Sequence, residues 1–224
     1  MTDSPIDRSE FDHRSVRRDF VFGELHRPDL SPNPVDQLQH WLSAAEAAGN
    51  FDPTAMCLST ASAAGRPSSR YVLLKHLDVR GLCFYTDSRS RKGRELAENP
   101  FAALAFYWPE TDRQVRVVGR VERLSEADAE DYFQQRPLKS RMAAAASIQS
   151  TPIDARTDLE ARYHAIETQY PEGDVPRNPA WGGFRLVPDE WEFWQGRPSR
   201  LHDRFVYLPD LSDAQTWQIQ RLMP

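Results

Sequence analysis

Residues 192–205 read EFWQGRPSRLHDRF, and these fourteen positions hold Arg197, Arg200, Arg204 and His202 beside Phe193, Trp194 and Phe205. Cations among large flat rings suit a ligand that is planar, heteroaromatic and anionic. A guanidinium stacks on a ring through its plane and grips oxygen atoms through its fork of N–H donors. Side chains alternate along a strand, so a strand here would put Arg200, His202 and Arg204 on one face. Leu201, Asp203 and Phe205 would share the other. The first face would form a polar wall beside Trp191 or Trp194. An exposed strand laced with salt bridges would carry the same residues, but three aligned cations point toward a ligand.

A second concentration of positive charge lies upstream. Between Arg66 and Arg94 there are eight Lys or Arg residues against only Asp78 and Asp87, in a chain whose net charge is −5. Local basic density on an acidic protein suggests a small anionic ligand more than a long nucleic acid. Within it, SRSRKGREL places Arg89, Arg91 and Lys92 at the start of a predicted helix. The macrodipole disfavours cations there unless an anion neutralises them, and helix N-termini bind phosphate through their free N–H groups. Arg70 and Lys75 bracket the apolar run of SRYVLLKH, and their odd separation sets them on opposite faces of a regular strand unless a bulge intervenes. Gln114 in DRQVRV is a strand amide that both donates and accepts, as the pyrimidine edge of a flavin requires. A flavin or a pyridine phosphate fits this set of groups.

The elements that must position these residues are mostly strands. TAMCLSTAS, SSRYVLLKHLD, GLCFYTDS, FAALAFYW and RQVRVVGRVERL follow one another at short spacing, with turn signals at AAGR and DVRG. GGFRLVPDEWEFWQ, RLHDRFVYL and TWQIQRL add three more near the C-terminus. Such a series predicts an antiparallel sheet or barrel. Helices are expected over 35–48, with Val35, Leu38, Trp41, Leu42 and Ala45 on one face, and in the SRSRKGRELAENP segment. A third begins at the N-cap Ser125 and a fourth covers about 154–170. The first thirty-odd residues lack periodicity and read as a loosely ordered arm ending in RPDLSPNP. The expected organisation is an arm over 1–34 and a single β-barrel-like domain with inserted helices over 35–224.

Composition removes several classes. Hydrophobic residues are 40% and charged residues 27%, an ordinary globular balance. No apolar run approaches the roughly 18 residues of a membrane span, and the N-terminus lacks the apolar segment of a secretory signal. Cys57 and Cys83 both sit in apolar runs and read as small buried hydrophobes rather than a disulfide. The six histidines show no paired ligand spacing, so no metal site is expected. The expectation is a cytoplasmic protein that binds neither membrane nor nucleic acid.

SRYVLLKHLDVRGLCFYTDSRSRKGRELAENP, RQVRVVGRVERLS, YFQQRP, WGGFRL and EFWQGRPSRLHDRF together resemble the pyridoxamine 5′-phosphate oxidases, from about Val16 to the C-terminal RLMP. The resemblance implies an FMN-binding split β-barrel, mainly β with helices, that works as a homodimer with FMN at the subunit interface. It implies FMN contacts from Arg70, Tyr71, Val72, Leu73, Leu74, Lys75, Tyr85, Thr86, Arg91, Lys92 and Gln114. Gln149, Ser150, Trp194 and Arg204 match positions that reach the same FMN from the other subunit. Lys75, Tyr132, Arg136 and Ser140 match the residues around the substrate phosphate, and Arg200, Leu201 and His202 match those beside the substrate ring, with Arg200 and His202 in the catalytic role. The spacing i, i+4, i+8 of Tyr132, Arg136 and Ser140 would align them on one helix, but Pro137 predicts a helix end and a turn. RRDF resembles a lid segment with Arg17 at the matching position, although Phe20 stands where the family often has tyrosine.

The implied reaction is oxidation of pyridoxine 5′-phosphate and pyridoxamine 5′-phosphate to pyridoxal 5′-phosphate. A hydride passes from the 4′ carbon to FMN, molecular oxygen is reduced to hydrogen peroxide, and the amine substrate loses ammonia on imine hydrolysis. Two other readings stay open at this point. One is a flavin oxidase of another aromatic metabolite, of the phenazine type. The other is a non-catalytic protein that stores or senses FMN or pyridoxal phosphate. A nucleic-acid-binding barrel is weakest, because a long basic stripe is missing.

Overall fold

The run Phe101–Trp108 shows how the sheet is built. Ala102, Leu104, Phe106 and Trp108 are buried while Phe101 and Tyr107 face outward, the period-two alternation of a half-buried strand. The computed structural model describes residues 18–213 and 216–224 of the chain. In chain order the elements are α1 (Pro34–Ala47), β1 (Ala55–Ala61), β2 (Pro67–Leu73), β3 (His76–Asp78), β4 (Gly81–Asp87) and α2 (Arg91–Glu98). They continue with β5 (Phe101–Trp108), β6 (Arg113–Arg123), α3 (Glu126–Gln135), α4 (Leu138–Ala146) and α5 (Arg156–Gln169). The last three are β7 (Trp181–Gln195), β8 (Asp203–Pro209) and β9 (Trp217–Leu222).

All pairings are antiparallel, in the order β2-β1-β5-β6-β7-β4-β3, with β8 and β9 joined to β7 off this path. The fork at β7 gives the fold its character. Its first half, Trp181–Leu186, pairs with β4, and its second half, Trp191–Gln195, pairs with β8 on the same edge. β6 runs along the opposite edge of both halves, with a register shift between Val118 and Gly119. Leu82 and Phe84 from one arm of the fork and Phe205 and Tyr207 from the other enter a single core. α1 closes it: Val35, Leu38, Trp41 and Ala45 are buried, and the Trp41 ring meets Phe193 edge-on at 5.2 Å. This is a split β-barrel with helices packed around it.

Local rules explain most boundaries. Asn33 caps α1 by accepting from Val35 N–H, and Pro34 occupies the first helical position. Ser125 caps α3 by accepting from Asp128 N–H, and Pro137 separates α3 from α4. Three expectations are corrected. SSRYVLLKHLD forms two strands, because the chain turns after Leu73 and buries Leu74 in the core. Residues 200–202 are not strand: Pro198–Arg200 form a 3-10 turn with positive φ at Ser199 and Arg200, so alternation does not apply there. The arm is tied down over its described part, since Leu25 and Leu30 belong to the hydrophobic core.

Asp112 anchors that arm. Its carboxylate, fully buried in the β5–β6 turn, accepts from Arg18 Nη2 at 2.5 Å and from the N–H groups of Val21 and Phe22 at 3.1 and 3.4 Å. Removing a buried acceptor of charge-assisted bonds costs about 1–3 kcal/mol, here concentrated on the arm. Asp112→Ala should therefore speed tryptic cleavage after Arg18 severalfold while the barrel core melts at nearly the wild-type temperature. An unchanged digestion rate would show that Asp112 does not hold the arm.

Candidate functional site

One cavity of about 820 Å³ opens beside β2 and β4 and is walled by α2, α3, α4 and the segment after α4. Arg70, Tyr71, Val72, Leu73 and Lys75 line it from β2 and the turn beyond. Tyr85 and Thr86 come from the end of β4, and Arg91 and Lys92 from the first turn of α2. Tyr132, Arg136 and Ser140 come from the α3–α4 corner, with Gln149 and Ser150 behind them. Leu74 alone of the 70–75 run has its side chain in the core instead. Arg70 and Lys75 meet in one cavity despite their odd spacing, because β2 ends at Leu73 before Lys75 is reached.

Each cation has its own degree of compensation. Arg89, expected with the helix-start cluster, is not in the lining: Asp87 takes its Nε and Nη2 at 3.0 and 2.6 Å. Arg91 Nε donates to Glu95 at 2.9 Å. Lys92 forms no ion pair among the described residues; its Nζ donates to Gln149 Oε1 at 3.1 Å and lies 3.5 Å from Ser90 Oγ. Burial, with the nearby Arg70 charge, pushes the Lys92 ammonium down to about 8. Its position depends on Gly93, where a Cβ would lie 2.3 Å from the Ser88 carbonyl oxygen. With no Cβ there, the chain folds back closely enough for Ser90 Oγ to cap Gly93 N–H at 3.2 Å.

At the other end Arg136 lies over the Trp181 ring at 4.7 Å, and its Nη1 is buried with no hydrogen-bond partner. Burial lowers its affinity for a proton. A buried guanidinium N–H without an acceptor is costly unless an anion arrives. Tyr85 and Tyr132 stack at 4.0 Å, and Trp181 continues the stack 5.5 Å from Tyr85. Burial raises both phenols, Tyr85 to about 12, so they stay neutral donors. Trp181 and Ser68 line the cavity and were not singled out in the sequence. Trp181 carried a faint signal in AWGGF, whereas nothing marked Ser68 among its neighbouring serines.

The second group of expected residues lies elsewhere on the chain. Gln114, Trp194 and Arg204 are register partners across β6, β7 and β8, so they form one row on one face of the sheet, outside the cavity lining. Gln149 accepts from Thr86 Oγ1 at 2.8 Å inside its own chain's cavity, whereas Gln114 lies outside that lining beside Trp194. Arg204 grips the buried Glu192 with Nε and Nη2 at 2.9 and 3.1 Å, a carboxylate it shares with Arg116. Arg200 and Leu201 are exposed in the turn. His202 packs 4.6 Å from the Trp194 ring and 5.3 Å from Phe20, and its Nδ1 accepts from Arg197 N–H at 3.1 Å. Burial and the charges of Arg200 and Arg204 lower its pKa, leaving a neutral ring that carries its proton on Nε2. Arg17 lies outside the described residues.

A split barrel with a cavity that is cationic at both ends and walled by stacked rings belongs among the ligand-binding split-barrel proteins. The sequence pattern described as pyridoxamine 5′-phosphate oxidase matches residues 44–170, and that of the pyridoxine 5′-phosphate oxidase C-terminal dimerisation region matches residues 181–224. Two relatives named pyridoxine/pyridoxamine 5′-phosphate oxidase are similar over 209 residues, 93% of this chain. The one from Burkholderia multivorans is 50% identical with 97% of its length covered, and that from Janthinobacterium sp. is 51% identical with 98% covered. Among solved structures, PhzG from Burkholderia lata in complex with tetrahydrophenazine-1-carboxylic acid superposes with TM-score 0.83 at 34% identity, covering 89% of this chain and 98% of that one. A pyridoxamine 5′-phosphate oxidase-related, FMN binding protein from Nostoc punctiforme shares the fold, with TM-score 0.67 at 21% identity over 87% of this chain and 99% of that one. The chain belongs to the pyridoxamine 5′-phosphate oxidase family.

An anion held by Lys92 needs the ammonium form. In the free protein that form predominates below pH 8, is half populated near 8 and is lost as pH rises further. The affinity for FMN, measured by flavin fluorescence, should therefore fall above pH 8 with a slope approaching tenfold per unit. Lys92→Met should flatten this slope. Parallel pH profiles for the two proteins would remove Lys92 from the site.

Proposed function

We propose that the protein is an FMN-dependent oxidase that converts pyridoxine 5′-phosphate and pyridoxamine 5′-phosphate to pyridoxal 5′-phosphate. The observation that carries this reading is the pairing, in one cavity, of two separate unsatisfied cationic groups. Lys92 is buried without an ion pair among the described residues, and Arg136 has a buried Nη1 without an acceptor. A cofactor phosphate and a substrate phosphate would neutralise one each. The cavity's volume of about 820 Å³ falls in the range of cofactor sites.

The residues present fit FMN. Arg70, Arg91 and Lys92 would hold its phosphate end, with Thr86 and Gln149 as neutral partners. When bound, FMN would supply the two-electron acceptor for the substrate's 4′ carbon and pass the electrons to oxygen, yielding hydrogen peroxide. The protein's part is orientation. Lys75, Tyr132, Arg136 and Ser140 would fix the substrate phosphate at the α3–α4 corner. Trp181 keeps Arg136 flat and keeps water from its inner edge. Arg200 and His202 would align the substrate ring; His202, neutral and donating through Nε2, would hold a ring oxygen rather than shuttle a charge.

Those last residues lie outside the cavity of their own chain. The row Gln114–Trp194–Arg204 shares a sheet face with the exposed Tyr71 and Leu73, whose side chains stand at the cavity's rim. A second copy packed on this face would bring its Trp194, Arg200 and His202 to the rim, which makes the active unit a homodimer with FMN between subunits. The matched C-terminal dimerisation region supports this arrangement.

The similarity to PhzG favours a second reading, a flavin oxidase of a phenazine-like acid. Such a substrate brings no phosphate for the corner of Lys75, Tyr132, Arg136 and Ser140.

Purified protein with FMN in air should form pyridoxal 5′-phosphate and peroxide from the alcohol or the amine. Product from neither substrate, with FMN bound, would defeat the reading. Arg136→Met should raise KM for both substrates by about 30- to 150-fold, the worth of roughly 2–3 kcal/mol for a buried charge-assisted contact. Arg200→Ala should instead lower turnover far more than FMN affinity; unchanged turnover would take Arg200 out of its catalytic role.

A further inference from the structure

Glu95 lies on α2 behind the cavity wall, with its side chain only 8% exposed. It belongs to no part of the machinery described so far, yet it touches that machinery at every oxygen. Its Oε2 accepts from Thr60 Oγ1 at 2.5 Å and from Ser68 Oγ at 2.6 Å, with Arg70 Nη2 at 3.4 Å. Its Oε1 accepts from Arg91 Nε at 2.9 Å. The two hydroxyls are relays. Thr60 Oγ1 accepts from Arg70 Nη1 at 2.6 Å, and Ser68 Oγ accepts from Arg70 Nη2, while each donates its own O–H to Glu95. Leu58 carbonyl oxygen takes a further bond from Arg70 Nη1 at 3.2 Å.

The direction of every bond in this network is set by the carboxylate. The acceptor at Oε2 takes the O–H of both Thr60 and Ser68, which turns their lone pairs toward Arg70, while Oε1 takes Arg91. Burial by itself would raise the Glu95 carboxyl, but the bonds from Ser68, Thr60 and Arg91 outweigh it and hold the group at about 2, so it stays charged throughout the working range. Arg70 and Arg91 come from different elements, a strand and a helix, and Glu95 is the contact they share.

We infer that Glu95 is a positioning residue for the cofactor phosphate: it aims the Arg70 and Arg91 guanidinium groups into the cavity and touches no ligand itself. The inference rests on the FMN reading above. Its consequence is selective. A ligand that ends in phosphate needs both guanidinium groups in place, whereas the same ring system without phosphate does not. Gln in place of Glu95 keeps one acceptor and turns an NH₂ toward Arg91 Nε, donor against donor, so Arg91 is released.

The experiment compares the affinities of apoprotein for FMN and for riboflavin by flavin fluorescence, in wild type, Glu95→Gln and Thr60→Val. Thr60 is buried outside the cavity lining, and its replacement by the isosteric valine cuts one relay while leaving the carboxylate. We expect Glu95→Gln to weaken FMN at least tenfold with riboflavin affinity unchanged, and Thr60→Val to shift the FMN-to-riboflavin ratio in the same direction by a smaller factor. Equal weakening of both flavins would mean a merely structural role and would overturn the inference. So would an unchanged or tighter FMN affinity in Glu95→Gln. If Glu95→Gln does not fold, Thr60→Val decides by the same ratio. A wild-type protein that binds neither flavin would overturn the cofactor reading itself, and this inference with it; normal wild-type binding with unmoved variants overturns this inference alone.

Discussion

A cation withdrawn from water must find an anion or a ring of acceptors, and the cavity is organised by how far each cation meets that demand within its own chain. Arg89 is fully answered by Asp87 and has left the lining. Arg204 is answered by Glu192, which it shares with Arg116. Arg70 and Arg91 are answered in part, from behind, by Glu95, which leaves their cavity faces available. Lys92 and Arg136 are answered least: one has an amide and a hydroxyl, the other a ring and an empty Nη1. The order of compensation is a map of where negative charge from outside is wanted.

The barrel makes this uneven compensation affordable. Alternation along β1, β5 and β6 sends Met56, Leu58, Leu104, Phe106, Val115 and Val117 inward, each with essentially no exposed surface. Strands so fixed hold Arg70 and Tyr85 in place without help from a ligand. The fork at β7 then separates two tasks. Its first half, paired with β4, carries Trp181 and backs the cavity; its second half, paired with β8, carries Trp194 and leads into the turn of Arg200 and His202. The arm crosses to this second region, where Phe20 packs on Trp194 and His202. That contact is apolar, consistent with phenylalanine at a position where a hydroxyl would otherwise offer a polar one.

Much of this was legible beforehand, and the reasons differ by element. Strand-like runs bounded by turns located β1, β4, β5, β6, β7 and β9; burial of one face forces alternation on β1, β5 and β6, whereas β4 is a short apolar run buried on both faces. An apolar face located α1, and the Ser125 cap and Pro137 located α3 and the break after it, because helix ends must satisfy backbone groups locally. The turn at Ser199 and Arg200 is not legible, because its positive φ is not encoded by a glycine or asparagine, and the end of β2 is hidden at Leu74 inside a continuous apolar run. Glu95 and Trp181 carry little local signal of their place at the cavity. A glutamate in a charged helix looks like surface, and a tryptophan near glycines looks like core.

Residue types and local spacing, then, determined which side chains exist to bind anions and rings, and most of the segments that are strand or helix, α4 after Pro137 excepted, since both follow from interactions within a few residues. The tertiary structure decided which of those side chains meet. That Gln149 and not Gln114 shares the cavity with Lys92, and that Thr60, Ser68 and Arg70 converge on Glu95, depend on pairings between segments tens of residues apart. Charge compensation is a matter of distances of a few ångströms, and such distances between remote segments are set only when the core has packed.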